Sequence, residues 1–403
     1  MKRICTILVI SFFAMIESEG QRQAGNDDII TVDVKKNYSQ KKELILQDFM
    51  DVEYVKLETN DVFVNQGYVM DIGKEIILVR NRVNDGDIFV YDRNGKALRK
   101  INRKGQGGEE YTSISSITLD EDNGEMFVND ENLRRIFVYD LYGKFKRKFE
   151  HFESAKYKFY TQIFNYDQNN LIAYNNNDLE ITFHLIAKKD GHITKEIKIP
   201  FTKKKSLSQI KLDSEPNKNV YTTIPEGFVS GTIVGPPNST FPIIPYKGKW
   251  MLIEVSSDTV YNFMPDYSLQ PVITRIPSIQ AMNPEVMLVL RLVSERYYFI
   301  DKIGNEYDWN TSTGFPRTPL LYDKQEKAFS EYKLFNGDFT TKRQIFVPRF
   351  RPLNHEIELW QPLEPFELVD DYKSGILKGK LKEIAANLDA EDNPVIMLAK
   401  HKK

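Results

Sequence analysis

The sequence predicts an all-β protein, a six-bladed β-propeller, and three observations carry that prediction. The segment IFVYDRNGKALRKI from Ile88 returns as IFVYDLYGKFKRKF from Ile136, so a supersecondary unit repeats after 48 residues. Each copy reads as a strand of alternating apolar residues, an Asp-x-x-Gly turn and a second strand, which together make a hairpin. The composition favours β structure, with 21 Tyr and 25 Phe among 403 residues. At that length one globular core has usually stopped growing, so either several domains or one repeat-built domain is expected.

The elements follow in chain order. Lys2 and Arg3, the apolar run ICTILVISFFAMI from Ile4 to Ile16, and the small or polar residues around Ser18 and Gly20 read as a signal peptide over residues 1–20. The run is too short to span a bilayer. Cys5, the only cysteine, precedes most of the run, whereas a lipid-modified cysteine would follow it. The expected product is therefore exported, periplasmic or extracellular, not a lipoprotein, and without disulfides or thiolate metal sites. Residues 21–50 read as an N-terminal extension and residues 51–403 as the propeller. The formal net charge of -2 predicts no general attraction to nucleic acid or anionic membranes, and a monomer is expected.

Ahead of the two hairpins stand GYVMDIG with EIILVRN and ISSITLDEDNG with EMFVND, which completes a four-strand unit of propeller-blade length. Blades are expected over residues 68–102, 114–150 and 161–199. A fourth contains TFPIIPYKG, KWMLIEV, SSDTVYNFM and LQPVITRI, and a fifth runs through VMLVLRLVS, RYYFIDKI, PLLYDKQ and AFSEYKLF. The insertion from Phe201 to about Asn238 opens with Lys203, Lys204 and Lys205, read as a solvated loop in preference to an anion site. The sixth unit offers RQIFVPRF and EIELWQPL, one short C-terminal helix with apolar spacing from Leu377 to Leu388, and the strand PVIMLAK. Pairing of Val52–Thr59 with Val395–Lys400 would close the ring, since an open edge leaves unpaired backbone groups.

GQGGEEY from Gly105, the repeated FVYD-x-x-GK, SSDTVY, LLYDKQ and EDNPVIML resemble a family of exported six-bladed β-propellers. The family is common in Gram-negative gut bacteria and similar in blade pattern to NHL propellers. Most of its members are domains of unknown function, so the resemblance implies a fold and no reaction. The family loop reads G-x-G-P-G-E-Y, and here Gly108 and Glu109 replace its proline and the glycine after it. By similarity to NHL propellers, this loop joins the outer strand of one blade to the inner strand of the next at a channel mouth. Arg103, Gln106, Glu110 and Tyr111 are therefore the candidate ligand-binding residues, against the plainer reading that Gln106 and Glu110 satisfy turn donors.

A phosphate cradle is disfavoured, because the glycines lead into the strand-like YTSISSITL and no helix N-terminus or Walker lysine follows. Of His151, His184, His192, His355 and His401, none is paired at metal-ligand spacing, and no metal site is expected. His192 in its Asp-Gly-His turn and His401 in its basic tail read as surface residues. In DEDNGE, from Asp120, Gly124 occupies a position where a calcium ligand is needed, so a hairpin turn is preferred. No G-x-S-x-G elbow occurs. Tyr297, Tyr298 and Phe299, like Trp250 and Trp360, read as inter-blade packing before a sugar surface, with Trp309 the tryptophan placed for exposure.

The preferred function is a binding or recognition module for a glycan, peptide or partner protein. The alternatives are a channel-bound lyase or hydrolase using carboxylates and a divalent cation, and a structural scaffold with no small ligand. No cofactor is indicated.

Overall fold

The computed structural model describes residues 29–152, 159–213, 230–236, 240–347 and 352–402. The signal peptide expected over residues 1–20 lies outside them. Six sheets of three to five strands form the blades of a propeller. Blade 1 comprises Tyr68–Ile72, Ile76–Arg80, Asp87–Asp92 and Ala97–Asn102, and blade 2 Ser116–Asp120, Glu125–Asp130, Arg135–Asp140 and Phe145–Glu150. Blade 3 is Gln162–Asn165, Asn170–Tyr174, Phe183–Ala187 and Ile193–Ile197. Blade 4 is Ile243–Tyr246, Lys249–Leu252, Thr259–Phe263 and Leu269–Ile276, and blade 5 Val286–Val293, Tyr297–Gly304, Arg317–Asp323 and Ala328–Phe335.

Blade 6 closes the ring. Ile357–Leu363 pairs with Val395–His401, which pairs antiparallel with the N-terminal strand Met50–Lys56 in the register Val395↔Lys56 to His401↔Met50. The expected ring-closing pairing is therefore present. RQIFVPRF departs from expectation: Gln344 makes one isolated bridge to Phe335, and the described part of the segment forms no strand. The expected helix is Gly379–Ala385, and the helix Pro365–Lys373 precedes it between the same two strands. Upstream, Ile30–Asp33 and Lys41–Ile45 add parallel outer strands to blades 4 and 5.

The repeated Asp-x-x-Gly turn has one physical cause. Asp92 Oδ1 accepts from the amides of Asn94 and Lys96 at 2.8 and 2.9 Å, and Asp140 Oδ1 from those of Tyr142 and Lys144, both at 2.9 Å. Gly95 and Gly143 take φ of 85° and 84°, a conformation that side chains resist. A Cβ at either position would also collide with the outer strand of the preceding blade, at Lys56 O or Ile101. The glycine thus fixes both the turn and the approach of neighbouring blades.

Blade-on-blade packing makes the core. Six apolar clusters fill the six wedges between neighbouring blades, including Val55, Trp360, Phe89 and Tyr91 between blades 6 and 1, and Leu359, Met397, Phe299 and Tyr332 between blades 5 and 6. Interior strands such as Ile76–Arg80 are consequently buried on both faces, while the outer strand Ala97–Asn102 alternates.

A histidine is built into the wedge between blades 2 and 3. His151 is buried, its Nε2 donates to Asn129 Oδ1 at 2.7 Å, and its Nδ1 accepts from the Tyr160 amide at 3.2 Å. Only the neutral ring makes both bonds, and burial pulls its pKa from 6.5 to about 4 despite the opposing influence of Asp130. The unfolded chain therefore binds the proton first. The resulting stability is fully present above pH 6.5 and drains away as pH falls towards about 4, by about 3 kcal/mol. Denaturant midpoints measured from pH 7 to 4 should fall for the natural chain and fall less steeply for His151→Gln; equal slopes would refute the assignment.

Candidate functional site at the channel mouth

The innermost strands of blades 1 to 5 all run in the same direction, so their inner turns gather at one end of the channel and the blade-to-blade loops at the other. The inner-turn end is tied together by polar side chains. Asn354 Nδ2 donates to Ile72 O at 2.9 Å, the Leu119 amide to Asp71 Oδ2 at 2.7 Å, and Asn165 Nδ2 to Leu119 O at 3.3 Å, which links blades 6, 1, 2 and 3. Glu121 of blade 2 accepts from the amides of Lys74 at 2.5 Å and Ile76 at 2.9 Å, fixing the inner turn of blade 1. Each carboxylate is held by backbone donors, so this rim is preorganised.

Within the rim lies a cavity of about 300 Å³, whose lining includes Asp71, Phe164, Asn165, Trp250, Asn354 and His355. His355 meets the Trp250 ring edge to face at 4.6 Å, and Phe164 approaches the same indole at 5.9 Å. Burial, aided by nearby His401, pulls the His355 imidazole down to about 4, so it is neutral at pH 7. Its Nδ1 and the Asn165 Oδ1 are buried with no hydrogen-bond partner among the described residues. The mouth thus combines an aromatic wall, a neutral imidazole and unsatisfied buried polar atoms on a rigid ring.

A second group adjoins it. Glu358 is fully buried and accepts from the Val293 amide at 2.6 Å, with His401 Nε2 at 3.5 Å; burial pushes the carboxyl pKa up. His401, expected on the surface, ends the middle strand of blade 6 and packs edge to face on Tyr246 at 5.0 Å. Its burial follows from the strand pairing that closes the ring. His192 is exposed beside Asp190, as expected from its turn.

The loop singled out from sequence lies at the opposite end of the channel, between Ala97–Asn102 and Ser116–Asp120. Tyr111 is completely buried; its hydroxyl donates to Gly86 O at 2.6 Å and accepts from the Arg103 amide at 3.0 Å, and burial pushes it up to about 12. Glu110 accepts from the Gly107 amide at 2.7 Å inside the turn. Arg103 donates to Gly143 O at 2.7 Å, while Lys148 and Tyr139 of blade 2 donate to Gly108 O and Glu109 O at 2.5 and 2.7 Å. These bonds bring Arg103, Glu110 and Tyr111 together over the outer strands of blade 2, and leave Gln106 exposed.

The insertion differs from its expected character. Lys204 is buried, its Nζ 2.9 Å from Glu254, and Lys205 lies 2.5 Å from Glu285, whereas Lys203 is exposed. Two of the three lysines are therefore structural, because an amine excluded from water needs a carboxylate. Tyr297 and Phe299 are buried between blades, as are Trp250 and Trp360. Trp309 is half-buried against Tyr307 at 5.1 Å. A furrow of about 470 Å³ beside it has Glu306, Asp308, Thr313 and Gly314 exposed along its lining and is a surface feature. Asp120–Glu125 forms the hairpin turn expected, with Asp120 paired to Lys188 at 2.6 Å. Among the described residues no cluster of three or more His, Cys, Asp or Glu is arranged to hold a metal ion.

Comparison with solved structures gives the same fold in a presumed exported protein of Bacteroides fragilis, at 15% identity over 93% of this chain and 100% of that one, with a TM-score of 0.55. A DUF4221 member from Bacteroides vulgatus matches at 8% identity over 88% and 98% of the two chains, with a TM-score of 0.44. A virginiamycin B lyase from Staphylococcus aureus matches at 13% identity over 72% and 94%, with a TM-score of 0.33. No curated protein matches. The family model described as domain of unknown function DUF4934 matches residues 29–400, nearly the whole propeller, and the chain belongs to that family.

Proposed function

We propose that this protein is an exported recognition module, working in the periplasm or outside the cell, that binds a small polar ligand in the Trp250–His355 channel mouth. One observation carries the reading: a cavity whose aromatic wall stands beside unsatisfied buried polar atoms, on strands locked together by blade-to-blade hydrogen bonds. The carboxylates of Asp71, Glu121, Asp122 and Glu356 outnumber the one lining amine, Lys74, which favours a neutral or cationic ligand rich in donors. Glycan fragments and the amino ends of peptides have that chemistry. At the far mouth the exposed Arg103 and Gln106 offer a secondary contact region, on a turn held by Glu110 and Tyr111.

The test is thermal unfolding and tryptophan fluorescence of the mature chain against neutral glycans, amino-terminal peptides and acidic sugars. A true ligand at about 100 times its Kd should add about 2.7 kcal/mol to stability. The shift should disappear in Trp250→Leu and His355→Ala. Binding that survives both substitutions, or a preference for acidic sugars, would overturn the site. A second reading, catalysis at the same mouth, draws on His355 alone, the one imidazole that lines the cavity. Mass spectrometry of the same mixtures separates the two, because only an enzyme converts what it binds.

A further inference from the structure

On the face opposite the Trp250 cavity, the junction of blades 6 and 1 leaves apolar side chains in water. The loop between Met50–Lys56 and Tyr68–Ile72 alternates. Phe63 and Asn65 are buried, while Val62 and Val64 are 57% and 62% exposed. The inward residues are pinned: Phe63 packs on Phe89 and Tyr91 at 5.8 and 5.3 Å, and the Asn65 amide donates to Asn393 Oδ1 at 2.8 Å. The two valines therefore cannot turn inward without breaking this core.

Two further segments extend the patch. The Arg82 amide donates to Gln66 Oε1 at 2.8 Å, which sets Val83, 60% exposed, beside the valine loop. The Arg82 guanidinium lies 3.9 Å from Glu364, which precedes the helix Pro365–Lys373 and its Phe366, 53% exposed. Isolated exposed apolar residues need no explanation, but four drawn together from three segments make a contiguous patch of the kind that marks an interaction site. Its border carries more carboxylates than cations, Asp61, Glu364, Glu367, Asp370 and Asp371 against Arg82, Arg343 and Lys373, with Arg82 on Glu364 and Arg343 between Glu367 and Asp371.

We infer that this patch docks a basic amphipathic helix of a partner protein. The helix would lay its apolar stripe on Val62, Val64, Val83 and Phe366 and place lysines or arginines over the carboxylates at the border. The sign of the border selects this occupant. An anionic lipid surface would be repelled, and a second copy of the chain would set carboxylates against carboxylates. The inference is independent of the Trp250 cavity.

The probe is a labelled short helix of leucine and lysine, titrated into the full mature chain and followed by fluorescence anisotropy, with a leucine and glutamate helix as control. The basic helix should bind, the acidic one should not, and added salt should weaken the complex. Val64→Ser with Phe366→Ser should weaken binding about tenfold or more, while Trp250→Leu leaves it unchanged. These positions are exposed, so the double variant should keep the natural melting temperature, which is measured alongside. Equal binding of both helices, binding undiminished in the double variant, association with anionic vesicles in place of the peptide, or a dimer abolished by the same substitutions would each overturn the proposal.

Discussion

Deletion of residues 29–56 is expected to leave a chain that no longer folds into a closed ring. The deletion removes Met50–Lys56, the outer strand of blade 6, and exposes the unpaired edge of Val395–His401 along its whole length. It also strips the parallel strands from blades 4 and 5. Val32, Val34, Leu46, Met50, Tyr54 and Val55, all buried, leave the wedges they fill. At about 1.5–3 kcal/mol for each buried apolar side chain, the loss is on the order of 10 kcal/mol, comparable to the whole stability of an ordinary domain, about 5–15 kcal/mol. Circular dichroism and urea unfolding of the purified chain would show no cooperative transition. Deletion of residues 29–36 alone removes only the blade 4 strand and should lower the midpoint while keeping the transition. A 29–56 deletion that unfolds cooperatively at the natural midpoint would show that the ring closes by other means.

The ring was legible in the sequence because its determinants are local. Asp92 and Gly95, and Asp140 and Gly143, build identical turns from side-chain bonds spanning two to four residues, so the 48-residue shift from Ile88 to Ile136 survives as visible text. The closing strand was legible for a different reason: a ring of alternating strands needs one more edge, and Val52–Thr59 was the β segment left over. RQIFVPRF shows the limit of that logic, since its apolar pattern fits a strand while its described residues carry only one bridge.

The channel mouth was not legible, and the cause is separation along the chain. Trp250 and His355 meet at 4.6 Å from blades 4 and 6, and Asn165 of blade 3 and Asp71 of blade 1 reach the same cavity. No spacing rule links such positions, because blade order, and not local periodicity, brings them together. Lys204 and His401 illustrate the same point. Each looks like a solvated residue in its own neighbourhood, yet each is buried against a carboxylate, Glu254 or Glu358, supplied from another part of the ring. The glycine-rich loop attracted notice because its composition is unusual, and its tyrosine and glutamate make bonds that hold the turn itself.

Asp301→Ala should be the most damaging single substitution away from the ring closure. Asp301 is completely buried, with Arg291 Nε at 2.7 Å and Arg317 Nε at 2.8 Å from the same carboxylate oxygen, and Arg291 is itself 1% exposed. Burial already pulls the Arg291 pKa down, and the carboxylate is what holds the charge there. Removing it takes from a guanidinium inside the blade 5 sheet the carboxylate that sits 2.7 Å away, which costs about 3–5 kcal/mol. Arg317 can turn outward, being one quarter exposed, but Arg291 on the innermost strand cannot. The comparison that isolates charge from packing is the pair Arg291→Met with Asp301→Leu, which removes both buried ions at similar volume. Such replacements are often neutral or stabilising by about 1–4 kcal/mol. Urea midpoints at constant m-value should therefore place the double variant well above Asp301→Ala. If the two fall together, the damage comes from packing in blade 5, and the buried charge is not what Asp301 is needed for.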